Sequence, residues 1–368
     1  MTAVPAGATL PPHDVPPLLA VESVDVVLGR GWRAARVLRA VDLRIWPGEI
    51  VGLVGETGSG KTTLARTVVG LADPAAGQIV FDGAPISTLR RGARRAQRRR
   101  GHVQLVFQDP LRSLDPDLTV AQIVGEGLEI RGETDQEEIR RRVLGALEKV
   151  GLDVTVLHST PGQISGGQRQ RVSIARALAT EPRLLICDEP VSALDASNRN
   201  YILRLLGQLR DSLGLSIVVI SHDLSSLAGI ADRVVVLYRG RIVEDGPVEQ
   251  VFAAPRHPYT ALLMASAPSV RHDRPLSPHQ LRRTDADPGP ANGPDACVFA
   301  ARCPFAADAC AAQPALETVD GRWSVACHRR EEWGALALAR DRGGPRPAAA
   351  RRAAPGTPAL WRPSRDQN

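Results

Sequence analysis

The segment GETGSGKT, from Gly55 to Thr62, has the residue types and the spacing that bind phosphate. Its G-x-x-x-x-G-K-T pattern lets backbone N–H groups turn toward the β- and γ-phosphates of a nucleotide, while Lys61 supplies a positive charge and the Thr62 hydroxyl suits Mg²⁺. An apolar run, Ile50–Val54, precedes the loop and a helical pattern over 63–70 follows it, as the motif requires. The sequence therefore predicts a nucleoside triphosphate site. Its predicted binding residues are Gly55, Glu56, Thr57, Gly58, Ser59, Gly60, Lys61, Thr62 and Thr63.

Two acids and a histidine follow apolar runs elsewhere in the chain. Asp188 and Glu189 end the segment LLICDEP, and His222 ends the run in VVISHD. The carboxyl ends of strands in an open α/β sheet face the bound ligand. We expect Asp188 to support Mg²⁺, Glu189 to polarise an attacking water and His222 to contact the γ-phosphate, because phosphoryl transfer needs mainly positioning and charge stabilisation.

A second glycine-rich segment, ISGGQRQR, predicts a second anion site. Two glycines come before a helical pattern, and the first N–H groups of a helix have no partner within that helix. The residues predicted to contact the anion are Ser165, Gly166, Gly167 and Gln168. The chain thus has two predicted phosphate sites but a single nucleotide loop.

The elements that must position these residues alternate between strands and helices. Between about 20 and 267, short apolar runs followed by turn residues alternate with helical patterns, which is typical of an α/β fold with a mainly parallel sheet. The segment VVVLYRGRIVEDG indicates an antiparallel hairpin at the margin. The amphipathic pattern over 135–150 and its surroundings predict a helical subdomain at about 109–180.

Composition excludes several classes of protein. Of 368 residues, 43% are hydrophobic and 4% aromatic, which suits a large globular domain with appendages. No apolar run reaches the ~20 residues that span a bilayer, and the N-terminus does not resemble a signal peptide, so we expect a cytoplasmic protein. The net charge of +6 is concentrated in LRRGARRAQRRR and in the Arg-rich tail, without aromatic interleaving, so no nucleic acid is expected as a partner.

The order of these motifs resembles the nucleotide-binding subunit of an ATP-binding cassette (ABC) transporter, over roughly residues 20–330. The matching positions are the loop Gly55–Thr62, Gln108 of FQDP, the signature at 165–168, Asp188 with Glu189, SALD at 192–195, and His222. Ile164 stands where the family usually has Leu. The family's adenine-stacking aromatic residue is not assigned here, since the first strand offers Leu28, with Trp32 four residues on.

The resemblance implies a P-loop NTPase fold and ATP hydrolysis with Mg²⁺. In the family, two cassettes close head to tail over two ATPs, and the signature of one contacts the γ-phosphate held by the other. The implied catalytic residues are Glu189, His222, Lys61 and Gln108, the implied Mg²⁺ ligands are Thr62, Gln108 and Asp188, and Asp195 helps to couple the two sites. Gln108 would also lie at the groove where a transmembrane partner docks.

The C-terminal part carries a more specific resemblance. HPYTALLMASAP, at 257–268, and C-x-F-x-x-R-C-P, at 297–304, are similar to the C-terminal extension of ATPase subunits in oligopeptide and dipeptide importers. This resemblance implies a peripheral protein at the cytoplasmic face of the membrane. Its partners would be two permease subunits, a second ATPase subunit and, indirectly, an extracytoplasmic solute-binding protein. Other transport systems, for nickel, glycosides, glutathione or export, and a soluble non-transport ABC ATPase stay as alternatives.

These observations predict four zones. Residues 1–18 and 334–368 are expected to be disordered, because they are rich in Pro or in Ala, Pro and Arg. Residues 19–267 are expected to form the nucleotide-binding domain, and residues 268–333 a small extension with four cysteines.

The four cysteines of the extension, Cys297, Cys303, Cys310 and Cys327, are spaced C-x5-C-x6-C-x16-C. Disulfides are disfavoured in a reducing compartment, and structural zinc prefers cysteine pairs two to four residues apart. A [4Fe-4S] cluster tolerates wider spacing and is understood to occur in this subfamily, so we favour it, with Zn²⁺ and free thiols as alternatives. We expect such a centre to serve as a structural staple, because a small extension gains little from its own core.

Overall fold

The computed structural model describes residues 15–89, 91–192, 194–266, 276–284, 293 and 295–341. These residues divide into two compact units. The first takes the residues up to 53, from 60 to 222 and from 229 to 232, and the second takes 54–59, 223–228 and those from 233 onward. In the part of the chain that the structure describes, no helix is both long and apolar enough to cross a membrane.

The first unit contains two groups of strands and most of the helices. Its strands are β1 (Leu19–Leu28), β2 (Ala35–Ile45), β3 (Ile50–Val54, with its last residue in the second unit), β4 (Ala76–Phe81), β5 (Ala84–Pro85), β6 (Val103–Val106), β7 (Leu184–Asp188) and β8 (Ser216–Ser221). Its α-helices are α1 (Lys61–Val68), α2 (Arg91–Arg99), α3 (Pro110–Ser113), α4 (Val120–Arg131), α5 (Gln136–Lys149), α6 (Gly166–Leu178) and α7 (Ala196–Leu213). Short 3-10 helices occur at Gly31–Arg33, Val154–His158 and Pro161–Gln163.

The strands that carry the predicted catalytic acids form the centre of this unit. They run in the order β3-β8-β7-β6, with parallel pairing of β6 to β7 (Val103 opposite Leu184) and of β7 to β8 (Leu184 opposite Ser216). Every residue of β3, β7 and β8 is buried, which explains why each strand reads as a continuous apolar run rather than an alternating one. A separate antiparallel sheet has the order β2-β1-β4-β5. The α/β fold class is confirmed.

The helical segment of the first unit contains α3 to α6, inside the predicted range of about 109–180. Thr119 starts α4 with a capping box, and Asp135 caps α5 by accepting a hydrogen bond from the Glu137 N–H. These caps explain why the two helices begin at those residues. Helix α5 packs apolar side chains inward and exposes charged ones, as the amphipathic pattern over 135–150 predicts, whereas α4 leaves Ile130 exposed.

The second unit is built on an antiparallel hairpin. Its strands are β9 (Arg233–Tyr238), β10 (Arg241–Pro247), β11 (Glu317–Asp320) and β12 (Trp323–Val325). Its α-helices are α8 (Val248–Ala253), α9 (Pro258–Ser266) and α10 (Trp333–Asp341), with 3-10 turns at Ser225–Leu227 and Asp308–Ala311. The strand order is β11-β12-β10-β9, so the predicted marginal hairpin pairs with strands of the cysteine-containing extension.

Two of the predicted boundaries differ from the structure. The sequence places a boundary between 267 and 268, but antiparallel pairing of Glu244 with Val325 joins the hairpin and the extension into one unit. The prediction of disorder from 334 onward is wrong for 334–341, because this stretch continues α10. Trp333 is buried and donates its indole N–H to the Arg256 carbonyl, and Ala337 lies on the same buried face. The remaining tail prediction, 342–368, and that for 1–14 lie outside the described residues.

Candidate functional site

The predicted phosphate loop follows β3 and leads directly into α1. Its residues Gly55, Glu56, Thr57, Gly58 and Ser59 belong to the second unit, and Gly60, Lys61, Thr62 and Thr63 belong to the first. Gly55 must be glycine, because an added Cβ would collide with the Leu237 carbonyl oxygen. Gly60 caps α1 in the left-handed region with φ 111°, and Lys61, the first residue of the helix, is 6% exposed. The Ser59 hydroxyl is buried without a hydrogen-bond partner among the described residues.

The structure brings two of the three predicted Mg²⁺ ligands, Thr62 and Asp188, together in the first unit. Asp188 ends β7, is 4% exposed and accepts a hydrogen bond from the Thr62 hydroxyl. Burial raises the pKa of Asp188 above its ordinary value, and the nearby Glu189 charge raises it further, whereas the Thr62 hydrogen bond and the Lys61 charge lower it. The buried carboxylate and the hydroxyl are oxygen ligands that suit Mg²⁺ bound together with substrate phosphates, and the lysine adds positive charge for those phosphates.

Glu189 forms the centre of a cluster with two of the other predicted catalytic residues of the first unit, Gln108 and His222. Its Oε2 accepts a hydrogen bond of 3.1 Å from Gln108 Nε2, and its Oε1 lies 3.3 Å from His222 Nδ1. The carboxylate is 16% exposed and the imidazole is 57% exposed. Glu189 also has a left-handed backbone, with φ 47°, while its N–H donates to the Ile220 carbonyl in β8. Such strain in a non-glycine residue costs roughly 1–3 kcal/mol and is concentrated at functional sites.

The signature segment starts α6 as predicted. The Ser165 hydroxyl accepts from the Gln168 N–H at 3.2 Å, and Gln168 Oε1 accepts from the Ser165 N–H at 2.8 Å. This capping box gives hydrogen-bond partners to two backbone N–H groups at the start of the helix, those of Ser165 and Gln168. Ser165 and Gly166 stay exposed, whereas Gly167 is buried, and so is Ile164, which shows that the change from Leu keeps an apolar contact.

Asp195 caps α7 and links it to the signature through a residue that the sequence did not point to, Asn198. The Asp195 carboxylate accepts from the Asn198 backbone N–H at 3.0 Å and from its side-chain amide at 2.7 Å. These hydrogen bonds hold the pKa of Asp195 below its ordinary value. An added Cβ at Gly167 would lie 2.7 Å from Asn198 Oδ1, so the two segments are in direct contact. No local pattern identifies Asn198, because its role comes from a contact between α6 and α7.

The predicted cysteine site lies in the second unit. Cys303 and Cys310 are buried, Cys297 and Cys327 are half-buried, and none forms a disulfide. Burial raises the pKa of Cys297, of Cys303 and of Cys327, the last to about 12, and the other cysteines of the group add to each shift. Among residues 15–341 that the structure describes, no three or more His, Cys, Asp or Glu side chains are arranged to hold a metal ion.

Two protein families match the chain. The ABC transporter family matches residues 38–192, and the family described as the oligopeptide/dipeptide transporter, C-terminal region, matches residues 243–310. The first range contains the phosphate loop, Gln108, the signature segment and the two acids. The second range contains three of the four cysteines.

Full-length relatives and solved structures agree with these matches. An ATP-binding protein of Brucella ovis named for peptide import is 46% identical over 85% of this chain and 98% of its own length. Oligopeptide transport ATP-binding protein OppF of Escherichia coli is 41% identical over 80% and 89%. CbiO1 of Clostridium perfringens, part of an ABC transporter complex, has a TM-score of 0.58 and 32% identity, covering 64% of this chain and 91% of its own.

A second solved structure bears on the assembly. An ATP-binding cassette solved as a dimer, in a post-hydrolysis state with ADP and phosphate, has a TM-score of 0.57 and 31% identity, covering 62% of this chain and 98% of its own. Together with the motif geometry, these similarities establish the family. The chain belongs to the ATP-hydrolysing subunits of ABC transporters, in the oligopeptide/dipeptide importer group.

Proposed function

We propose that this chain hydrolyses ATP to drive the import of peptides. It works as one of two cassettes docked on two permease subunits at the cytoplasmic face of the membrane, with an extracytoplasmic solute-binding protein delivering the solute. The proposal is supported by relatives named for peptide import and by the match at 243–310. The resemblance of this extension also includes nickel, glycoside and glutathione systems. Uptake assays on a strain that lacks this single gene, with peptides, nickel and sugars compared, therefore test which solute is transported.

The observation that carries the proposed chemistry is the carboxylate of Glu189, which is held at both oxygens. Gln108 donates to one oxygen and the His222 ring nitrogen lies beside the other. A base fixed in this way can take the proton of the attacking water without reorganising first. Asp188 and Thr62, at the end of the same strand and the start of α1, would hold Mg²⁺, together with Gln108. The metal would neutralise charge on the phosphates as the bond to the leaving group breaks.

The remaining predicted residues bind and orient the nucleotide. Backbone N–H groups of the loop and the Lys61 ammonium would contact the phosphates, and His222 would contact the γ-phosphate. The exposed N-terminus of α6, at Ser165 and Gly166, would contact the γ-phosphate held by the second cassette. Asp195 is proposed to couple the two sites, and its hydrogen bonds to Asn198 support this role, because Asn198 contacts the signature glycine Gly167.

Substitution of Glu189 tests the proposed base. Glu189→Gln keeps the side-chain volume and an oxygen for Gln108, but it cannot take a proton. We expect ATP turnover in the reconstituted transporter to fall roughly 10²- to 10⁴-fold, with ATP affinity changed by less than about threefold. Glu249→Gln, which neutralises an exposed acid in α8, is the control. Unchanged turnover in Glu189→Gln would refute the assignment of the base.

We further propose a [4Fe-4S] cluster on Cys297, Cys303, Cys310 and Cys327. The sulfur atoms accept backbone hydrogen bonds, Cys297 from Phe299 and Ala300, Cys303 from Phe305 and Cys327 from Arg329. Hydrogen bonds to cysteine sulfur are among the features that tune such clusters. The proposal is supported by the spacing of the four cysteines, which is wider than the close pairs that zinc prefers, and by the resemblance of the extension.

Metal analysis of protein purified without oxygen tests this second proposal. We expect about four irons and four acid-labile sulfides per chain, lost in Cys303→Ser and kept in Cys187→Ala. Cys187 is a matched control because it is a buried free cysteine in β7, in the first unit. Zinc alone, or iron that persists in Cys303→Ser, would contradict the cluster.

A further inference from the structure

The cysteine segment, residues 297–327, contacts the phosphate loop at Glu56. The Arg302 guanidinium donates to both Glu56 oxygens, at 2.7 Å from Nη1 to Oε2 and at 2.9 Å from Nη2 to Oε1. The backbone N–H of Glu56 donates to the Tyr259 hydroxyl at 2.9 Å. All three residues belong to the second unit. Glu56 is therefore held at its backbone and at its side chain by two different segments of the C-terminal region.

Buried packing fixes Tyr259. Its side chain is fully buried, its ring centroid lies 4.4 Å from that of Tyr238, and its N–H donates to His257 Nδ1 at 3.0 Å. His257 is in turn held by its own N–H, which donates to the buried Glu244 carboxylate at 3.0 Å. The Tyr259 hydroxyl is thus a rigid acceptor, and it can define where the first turn of the loop lies.

Two aromatic rings and a backbone hydrogen bond hold Arg302. Its guanidinium carbon lies 5.7 Å from the centroid of Tyr238 and 5.9 Å from that of Phe299. Its own N–H donates to the Phe299 carbonyl at 2.9 Å, and the next residue is the buried Cys303. Planar stacking and paired hydrogen bonds are properties of arginine that lysine does not reproduce. The orientation of Arg302 therefore depends on the fold of the cysteine segment.

The position of Glu56 gives this contact a chemical purpose. Glu56 is the second residue of a loop that binds nucleotide phosphates, where a free carboxylate would repel the ligand. We propose that Arg302 is a positioning residue for ATP binding, which neutralises Glu56 and holds its carboxylate in the extension, so that the cysteine segment controls the affinity of the phosphate loop. The proposal rests on the nucleotide-binding role of the loop, and it does not depend on the solute.

Both side chains are 41% exposed, which sets the size of the expected effect. An exposed ion pair contributes little to stability, whereas an uncompensated charge beside a phosphate site acts directly on the ligand. We expect Arg302→Gln to weaken binding of a non-hydrolysable ATP analogue about three- to tenfold at low salt, and to weaken ADP binding less, because ADP carries less charge. The loss should shrink at high salt, since exposed charges are screened.

A double-mutant cycle separates charge neutralisation from a general structural effect. The measurement is equilibrium binding of the ATP analogue and of ADP with Mg²⁺ to the full chain without permeases, so that a wrong solute assignment cannot alter the result. Glu56→Gln removes the carboxylate and should bind the ATP analogue more tightly than Arg302→Gln does. Arg302→Gln combined with Glu56→Gln should return to within about twofold of Glu56→Gln alone, because no carboxylate is left to neutralise.

Matched variants guard against misfolding. Arg330→Gln removes another arginine of the extension, which pairs with Glu317 at 2.9 Å, and it should leave binding unchanged. Arg302→Lys keeps the charge without the paired geometry and should fall between the wild type and Arg302→Gln. The proposal is overturned if Arg302→Gln binds as the wild type does, or if the Glu56→Gln background leaves the loss from Arg302→Gln intact. Should Arg302→Gln fail to fold, unchanged analogue binding by Arg302→Lys at low salt would overturn it as well.

Discussion

Replacement of the signature glycine Gly167 by alanine tests the link between α6 and α7. The new Cβ would lie 2.7 Å from Asn198 Oδ1 and 3.1 Å from Asn198 Cγ, which is too close, so the amide must move. That amide is held by Asp195 through a hydrogen bond of 2.7 Å from Asn198 Nδ2. The substitution therefore either leaves a steric overlap or breaks the hydrogen bond at the start of α7.

The size of the effect follows from these contacts. An exposed hydrogen bond to a carboxylate contributes about 1–1.5 kcal/mol, and residual crowding of a packed side chain adds about 1 kcal/mol. Alanine in the first turn of a helix offsets about 0.5 kcal/mol of this loss relative to glycine. Gly167→Ala should thus lower the free energy of unfolding by about 1.5–2 kcal/mol. In an Asn198→Ala background the clash is absent, and the same substitution should raise it by about 0.5 kcal/mol.

Urea unfolding of the wild type, the two single variants and the double variant measures this coupling. We expect an interaction energy of about 2 kcal/mol and a change of sign for Gly167→Ala between the two backgrounds. The N-cap of α7 stays in place in all four proteins, since Asp195 also accepts the backbone N–H of residue 198. An equal cost of Gly167→Ala in both backgrounds would refute the contact as the reason for glycine at this position.

Two further predictions concern backbone strain and acid sensitivity. Because Glu189 has φ 47°, the free energy of unfolding of Glu189→Gly should be about 1 kcal/mol higher than that of Glu189→Ala. Equal values in urea titrations would argue against backbone strain at this residue. Burial lowers the pKa of His257 from 6.5 to about 3, so the unfolded chain binds a proton that the folded chain does not as the pH falls below 6.5. Between pH 7 and pH 5 this contribution of His257 lowers the free energy of unfolding by about 2 kcal/mol, whereas the neighbouring Glu244, whose pKa burial raises to about 7, binds a proton in the folded chain and offsets a similar amount. His257→Asn, whose Oδ1 can accept the Tyr259 N–H without titrating, should therefore gain about 2 kcal/mol relative to the wild type between pH 7 and pH 5, and an equal pH dependence of both proteins in urea titrations would contradict this.

The sequence predicts the central elements because local patterns and burial agree there. The apolar runs before Gly55, Asp188 and His222 became β3, β7 and β8, and each is buried throughout. Caps such as Thr119 and Asp135 act within four residues and can be identified by eye. By contrast, β10 pairs with β12 across about 80 residues of chain, and no local pattern encodes that register. The helix from Trp333 was missed because its Ala-rich composition resembled a low-complexity tail.

The same division applies to the site. A phosphate loop can be recognised in a sequence because its glycines and its lysine bind the same phosphates and therefore lie at fixed spacing within one short segment. The sequence also predicted Glu189 and His222 from their positions after apolar runs and Gln108 from the resemblance, but the contacts among them come from the ends of different elements. Asn198 belongs to no motif, and the C-x-F-x-x-R-C-P pattern that contains Arg302 does not reveal what this arginine binds. Each matters through a partner distant in sequence, Gly167 for Asn198 and Glu56 for Arg302.

The structure gives the HPYT segment a physical reason within the second unit. His257 accepts the Tyr259 N–H in a buried pocket, and the Tyr259 hydroxyl accepts the Glu56 N–H of the phosphate loop. These contacts stay inside the protein, so the segment is a marker of how the extension packs and needs no contact with the transported solute. A change of solute would therefore leave them intact, whereas a change in the cysteine segment reaches the phosphate loop through Arg302 and Glu56.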